Sequence, residues 1–184
     1  MIVAGTGHRP EKLGTHRHAG YSIDARARLE SFVHSLVGEL RPAIVVSGMA
    51  QGFDMALAEG AVRCGIPFIA ALPFGGQEAQ WPQEARERYA SLLKKAHSIK
   101  LVSEGGYANW KYQRRNEYLV HSCDLLVALW DGTDGGTANC IRYAEKTGRT
   151  MEPMAEAIVS AHREPPIRTG GLTNVWSRWQ ELAA

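Results

Sequence analysis

Short apolar runs alternate along this chain with longer stretches in which apolar residues return every three or four positions. The runs are MIVAG (1–5), AIVVS (43–47), PFIAAL (67–72), SIKLV (98–102) and DLLVALW (124–130), and each has the length and β-branched content of a strand. Between the first two, Leu29, Phe32, Val33, Leu36, Val37 and Leu40 mark one face of a helix over 22–40, with Ser22 as its N-cap. Similar spacing predicts helices at 53–64, 83–96, 109–122 and 136–147. Runs such as AIVVS and LLVAL are apolar at successive positions, so both faces must be covered. The strand–helix alternation therefore predicts an α/β fold: one Rossmann-like, doubly wound domain over 1–150, its sheet mainly parallel and clad with helices on both faces.

Beyond residue 150 the rhythm stops. Pro153, Pro165, Pro166, Gly170 and Gly171 interrupt two short helical patterns, and no strand is expected. Trp176, Trp179 and Leu182 fall on one helical face, so 151–184 is read as a helical extension that packs on the domain or forms an oligomer contact.

Composition narrows the function only a little. With 184 residues, 45% hydrophobic and 22% charged, the chain can bury a full core without disulfides or a structural metal. A net charge of +2 is too small to require a polyanionic partner, which argues against non-specific nucleic-acid binding. Cys64, Cys123 and Cys140 are odd in number, lack CxxC spacing and read as buried thiols in a reducing cytosol. Neither a signal peptide nor an apolar run long enough for a membrane span is evident, so a soluble, cytoplasmic protein is expected.

Ligands of open parallel sheets bind beyond the carboxyl ends of the strands. Small and polar residues collect there: Gly5, Thr6, Gly7, His8 and Arg9 after the first strand; Ser47, Gly48, Ala50, Gly52 and Asp54 after the second; Gln77 and Trp81 after the third; Asp131, Gly135, Gly136 and Thr137 after the fifth. Glycines let a backbone approach a ligand closely, and the amides of a helix start attract anions. Neither GxGxxG nor GxxxxGK[ST] occurs, so no dinucleotide or triphosphate cofactor is expected. His8, His16 and His18 lack the carboxylate or thiolate partners of a metal site, and no metal is expected.

TGHRPEKLG (6–14), SGMAQGFDMALAEGAV (47–62), PFGGQEAQW (73–81), WKYQRRNEYLVHSCDLLVALWDG (110–132) and GGTANCIRYAEKTGR (135–149) together resemble the SLOG superfamily, most closely its YspA/YpsA-like branch, which includes phage proteins. That resemblance implies a Rossmann-like fold with a nucleotide-related ligand at the glycine-rich loops, and self-association as a homodimer. LOG-type members cleave the N-glycosidic bond of nucleoside monophosphates with an arginine and a glutamate near GGxGTxxE. Arg115 is similar to that arginine, but in GGTANCIRYAE no acid follows at the family's spacing. The DNA-processing branch binds single-stranded DNA, and its SGxAxGxD and SE…RN elements are similar to Ser47–Asp54, Ser103-Glu104 and Arg115-Asn116.

Roles follow from residue chemistry. Arg115 is a fork for phosphate or carboxylate, and Asn116 a contact to base or ribose. His8 and Arg9 can meet an anion, although His8 can equally be structural against a neighbouring carboxylate. Trp81 can stack on a base with Gln77 reading its edge, or cap the core; Trp110 and Trp130 read as packing residues. A glycosidase needs an acid beside the anomeric carbon, for which Asp54, Glu104, Glu117 and Asp131 all qualify. Three readings stay open: a binder of a nucleoside monophosphate or ADP-ribose-like molecule, a nucleotide N-glycosidase with Asp54, Arg115 and Asp131 in the catalytic set, and a single-stranded DNA binder.

Overall fold

The computed structural model describes residues 1–13, 22–151 and 170–183. Six strands form one sheet in the order β4-β3-β2-β1-β5-β6: β1 (Ile2–Gly7), β2 (Ile44–Ser47), β3 (Phe68–Leu72), β4 (Ser98–Leu101), β5 (Leu125–Leu129) and β6 (Gly171–Asn174). Every neighbouring pair is parallel. The helices are α1 (Ile23–Leu40), α2 (Phe53–Arg63), α3 (Gln83–Lys95), α4 (Trp110–His121), α5 (Gly136–Lys146) and α6 (Trp176–Ala183), with a 3-10 turn at Pro10–Lys12. The fold is the α/β Rossmann-like arrangement that the alternating pattern predicts, and Ser22 caps α1 by accepting the Ala25 amide at 3.1 Å.

Two apolar layers sandwich the sheet, and alternate strand residues feed them. Val3, Val45 and Val127 pack with α1, α2, α3 and α6, whereas Ala4, Val46, Leu126 and Ala128 pack with α4 and α5. Glycines at alternate positions of β1 serve the first layer. A methyl on Gly5 would lie 2.3 Å from Leu57 Cδ2, and one on Gly7 would lie 2.5 Å from Phe53 Cβ, so α2 approaches the strand closely.

The expectation of no strand beyond residue 150 is corrected: β6 pairs with β5 from Leu125↔Gly171 to Ala128↔Asn174. Its four residues, GLTN, include a glycine and an asparagine and carry no strand propensity to speak of. Tertiary bonds hold it instead. Arg149 donates to the carbonyls of Asp124 (3.1 Å), Gly171 (3.0 Å), Val120 (2.5 Å) and Cys123 (2.5 Å), tying the start of β6 to the end of α4. Asn174 continues the ladder with its side chain, donating to the Trp130 carbonyl at 2.9 Å and accepting the Trp130 amide at 3.2 Å.

In α6, Trp179 is buried against Phe32 with ring centroids 5.7 Å apart, Trp176 is half-buried, and Leu182 is exposed, so only part of the expected stripe faces inward. The first of the two helical patterns expected after residue 150 lies outside the described residues. Trp110 is also corrected from a packing residue: it opens α4 and is 59% exposed. Cys123 and Cys140 are buried, and burial pushes their thiols up to about 11 and about 12. Cys64 is only half-buried. No helix among the described residues is long and apolar enough to cross a membrane.

Candidate functional site

The chain runs outward from β1 in one direction through β2, β3 and β4, and in the other through β5 and β6, so strand order reverses between β1 and β5. At the carboxyl ends of these two strands a cleft of about 750 Å³ opens between the turns after them and the first turns of α4 and α5. Its walls include Thr6, Gly7, His8, Arg9, Ala50, Asp54, Arg115, Asn116, Gly135, Gly136 and Thr137.

At the floor, Arg115 reaches from α4 under β2 and gives Nη1 to Asp54 Oδ2 at 2.6 Å, both side chains being less than a tenth exposed. Gly48 makes this reach possible, because a methyl there would sit 1.5 Å from Nη1. Arg115 Nε is buried without a hydrogen-bond partner. A guanidinium offers its Nε edge to a planar or tetrahedral anion as a two-toothed fork, and here one tooth of that fork is idle. Burial pushes the Asp54 carboxyl up from its ordinary value, while the Arg115 guanidinium and the Ala50 backbone pull the other way. Asp54 itself belongs to the first turn of α2, whose entry is set by Gly52 at φ 90°; a methyl on Gly52 would meet the His8 carbonyl oxygen at 2.4 Å.

Opposite Arg115 lies the start of α5. Its N-cap is Gly135, and no side chain caps it. The first amides of a helix have no partner within it and carry the positive end of the macrodipole. Those of Gly136 and Thr137 face a cleft that glycine leaves open: a methyl on Gly135 or Gly136 would touch nothing within 4 Å. Asn116 holds α4 and α5 together by donating Nδ2 to the Gly136 carbonyl at 3.2 Å.

The third wall joins β1 to β5. His8 Nε2 accepts the Asp131 amide at 2.9 Å and lies 2.7 Å from Asp131 Oδ1. Burial lowers the His8 pKa from its ordinary value, with Asp131 opposing. Burial pushes the Asp131 carboxyl up, but the Thr133 hydroxyl and amide and His8 together outweigh it and bring the carboxyl down to about 2. The Lys12 ammonium bonds the Thr133 hydroxyl across the mouth, and Arg9 is exposed beside it with Cζ 6.0 Å from the centre of the Tyr112 ring.

The remaining residues singled out from the sequence are placed elsewhere. Gly5 faces α2, and Ser47 Oγ donates to the Asp54 carbonyl at 2.7 Å and accepts the Met49 amide at 3.1 Å, so both shape the fold around the cleft without lining it. Gly48 supports Arg115 from behind, and Gly52 lines a separate depression of about 240 Å³. Gln77 donates to the Tyr89 hydroxyl at 3.2 Å, and Trp81 packs at 5.4 Å on the same ring, away from the cleft. Of the carboxylates Asp54, Glu104, Glu117 and Asp131, only Asp54 lines the cleft. Among the described residues no cluster of three or more metal-ligating side chains forms; His16 and His18 lie outside them.

Sequence reasoning missed Tyr107, Asn109, Tyr112, Gln113 and Asn139, which line the cleft from α4, its entry loop and α5. The spacing of Tyr112 from Arg115 and Asn116, three and four positions on one helix face, was the available signal.

A family model described as YspA SLOG family matches residues 3–162. The uncharacterized SPbeta prophage-derived protein YoqJ of Bacillus subtilis is 34% identical over 93 residues, covering 45% of this chain and 54% of YoqJ, so the match spans about half of that relative. The UPF0398 protein BH1768 of Halalkalibacterium halodurans is 25% identical over 169 residues, 88% of each chain. Among solved structures, DNA processing protein A from Helicobacter pylori, studied for its single-stranded DNA binding mode, has a TM-score of 0.58 at 14% identity and covers 100% of this chain and 80% of its own. DNA processing protein A from Streptococcus pneumoniae has a TM-score of 0.54 at 17% identity, covering 97% of this chain and 60% of its own. These structural likenesses concern the fold; the match over residues 3–162 carries the assignment, and the chain belongs to the YspA SLOG family.

Proposed function

We propose that the cleft binds a nucleotide-derived small molecule, a nucleoside monophosphate or an ADP-ribose-like ligand, with its phosphate between Arg115 and the first turn of α5. The observation that carries this reading is the idle Nε of buried Arg115 in a cleft that also receives the uncapped amides of α5. A buried donor without an acceptor costs about 1–3 kcal/mol, and an oxygen-rich anion would recover that. Thr137 adds a hydroxyl, and Arg9 a second guanidinium at the mouth. Mass spectrometry of small molecules released from freshly purified protein, followed by calorimetric titration of nucleoside monophosphates and ADP-ribose, tests the reading. A saturable nucleotide site that Arg115→Gln abolishes supports it; no nucleotide binding to folded protein refutes it.

A second reading, hydrolysis of the N-glycosidic bond, has one observation in its favour: the buried carboxyl of Asp54 lines the same cleft and is pushed towards its protonated form. Incubation with nucleoside monophosphates decides it, because release of free base and ribose 5-phosphate is required. Single-stranded DNA, named for the Helicobacter pylori structural neighbour, is the competing ligand. Its affinity would fall steeply with salt as counterions are released, which separates it from a mononucleotide.

A further inference from the structure

The outer wall of the cleft is aromatic, and the phosphate contacts leave it unused. Tyr112 stands one turn, about 5.4 Å along the axis, before Arg115 and Asn116 on the same face of α4. Phe74 and Tyr107 pack against it at 75° and 64°, with centroids 5.5 and 6.4 Å away. Tyr107 meets Phe74 at 86° and 5.8 Å, so no described ring stacks in parallel on it, and it is 71% exposed. An exposed tyrosine on a loose loop would be unremarked, but this loop is pinned. Lys111, whose residue is only 6% exposed, donates Nζ to the carbonyls of Glu104 (2.6 Å) and Gly106 (2.5 Å), immediately before Tyr107. A buried ammonium is spent on ordering the segment that presents the ring.

Two side-chain amides accompany the rings. Asn109 and Gln113, one turn apart on α4, line the cleft, and Asn109 makes no capping bond to the helix it begins. Each amide carries a donor and an acceptor side by side, the pattern that pairs with the edge of a nucleobase, although Gln113 Nε2 also donates to Glu117 Oε1 at 3.5 Å.

We infer that this corner is a base subsite: a nucleobase stacks on Tyr107 with its hydrogen-bonding edge towards Asn109 and Gln113, in the same cleft as the phosphate at Arg115. The inference rests on the nucleotide reading above and adds the orientation of the ligand and the residues that select base-bearing ligands over sugar phosphates. Tyr107 is the stacking platform, Tyr112 and Phe74 hold it in place, and Lys111 is a positioning residue for its loop.

Calorimetry with AMP, GMP, CMP, UMP and ribose 5-phosphate tests this on the wild type, Tyr107→Ala and Tyr107→Phe. Stacking on an aromatic side chain strengthens binding by about fivefold to a hundredfold per base, so at least one nucleotide must bind the wild type at least about fivefold more tightly than ribose 5-phosphate. Tyr107→Ala erases this preference without changing the affinity for ribose 5-phosphate, and Tyr107→Phe keeps it. Equal affinity of the wild type for nucleotides and ribose 5-phosphate, or equal weakening of both by Tyr107→Ala, overturns the base subsite and leaves the phosphate contacts standing. Folded protein that binds none of the five, and no ADP-ribose either, overturns both. Tyr107 is exposed, so its truncation leaves the core intact, and circular dichroism of each variant checks this.

Discussion

Replacing Gly48 with alanine tests the floor of the cleft with a single methyl group. The backbone there needs no left-handed conformation, so the effect is steric: the new carbon would lie 1.5 Å from Arg115 Nη1, 2.6 Å from its Cζ and 2.7 Å from Asp54 Oδ2. The strand end cannot retreat, because Ser47 is bonded to the Asp54 carbonyl and the Met49 amide. Arg115 must therefore swing towards the open cleft, leaving the Asp54 carboxyl buried with the Ala50 backbone as its remaining support. Removing one partner of a buried ion pair costs about 3–5 kcal/mol, and because the displaced guanidinium regains water the lower end, about 3 kcal/mol, applies. At a urea dependence of about 2 kcal/mol per M, the unfolding midpoint falls by about 1.5 M. Urea titration followed by circular dichroism reads this directly, with Gly75→Ala, where the methyl meets nothing within 4 Å, as the control. Equal midpoints for both variants, with nucleotide binding intact, would show that Arg115 does not pass over Gly48.

Three further outcomes follow from other parts of the molecule. Gly38→Ala, in the last turn of α1 where a methyl meets nothing within 4 Å, raises stability by up to about 0.5 kcal/mol in the same urea assay, through helix propensity alone. Trp179→Ala empties a site that is 3% exposed and packed on Phe32, lowering stability by about 3–5 kcal/mol; thermal denaturation measures it, and an unchanged midpoint would mean α6 does not dock on α1. Asp131 has a folded-state pKa of about 2 against an ordinary 3.8, so the unfolded chain binds the proton first and the stability it contributes, fully present above 3.8, is lost as pH falls towards 2. Asp131→Asn flattens that part of the pH–stability curve, which melts between pH 5 and pH 2 would show.

How much of this was legible in the amino-acid order differs from element to element. β1, β2, β3 and β5 appear where apolar runs predict them, because a strand covered on both faces must be apolar throughout, and β4 appears at its predicted place as an exposed edge strand. β6 escaped because its information lies elsewhere: in Arg149, which gathers four carbonyls from three segments, and in Asn174, whose amide imitates backbone. The site divides in the same way. Turns after β1 and β5 and the glycines before α5 announce themselves by composition. Tyr112 announces itself only by its helical spacing from Arg115, and Tyr107 not at all, since exposed and buried tyrosines look alike in sequence and only the fold brings its loop to the cleft. Trp81 stood out as a large aromatic after β3, yet α3 turns it towards Tyr89.

The central claim is that a nucleotide's phosphate sits between Arg115 and the start of α5. Amide-resolved NMR of 15N-labelled protein during titration with nucleoside monophosphates locates the ligand directly. The account predicts saturable shifts largest at Gly136 and Thr137, absent from the Arg115→Gln variant. Nucleotide-induced shifts confined to other regions, or none at all in folded protein, would contradict it.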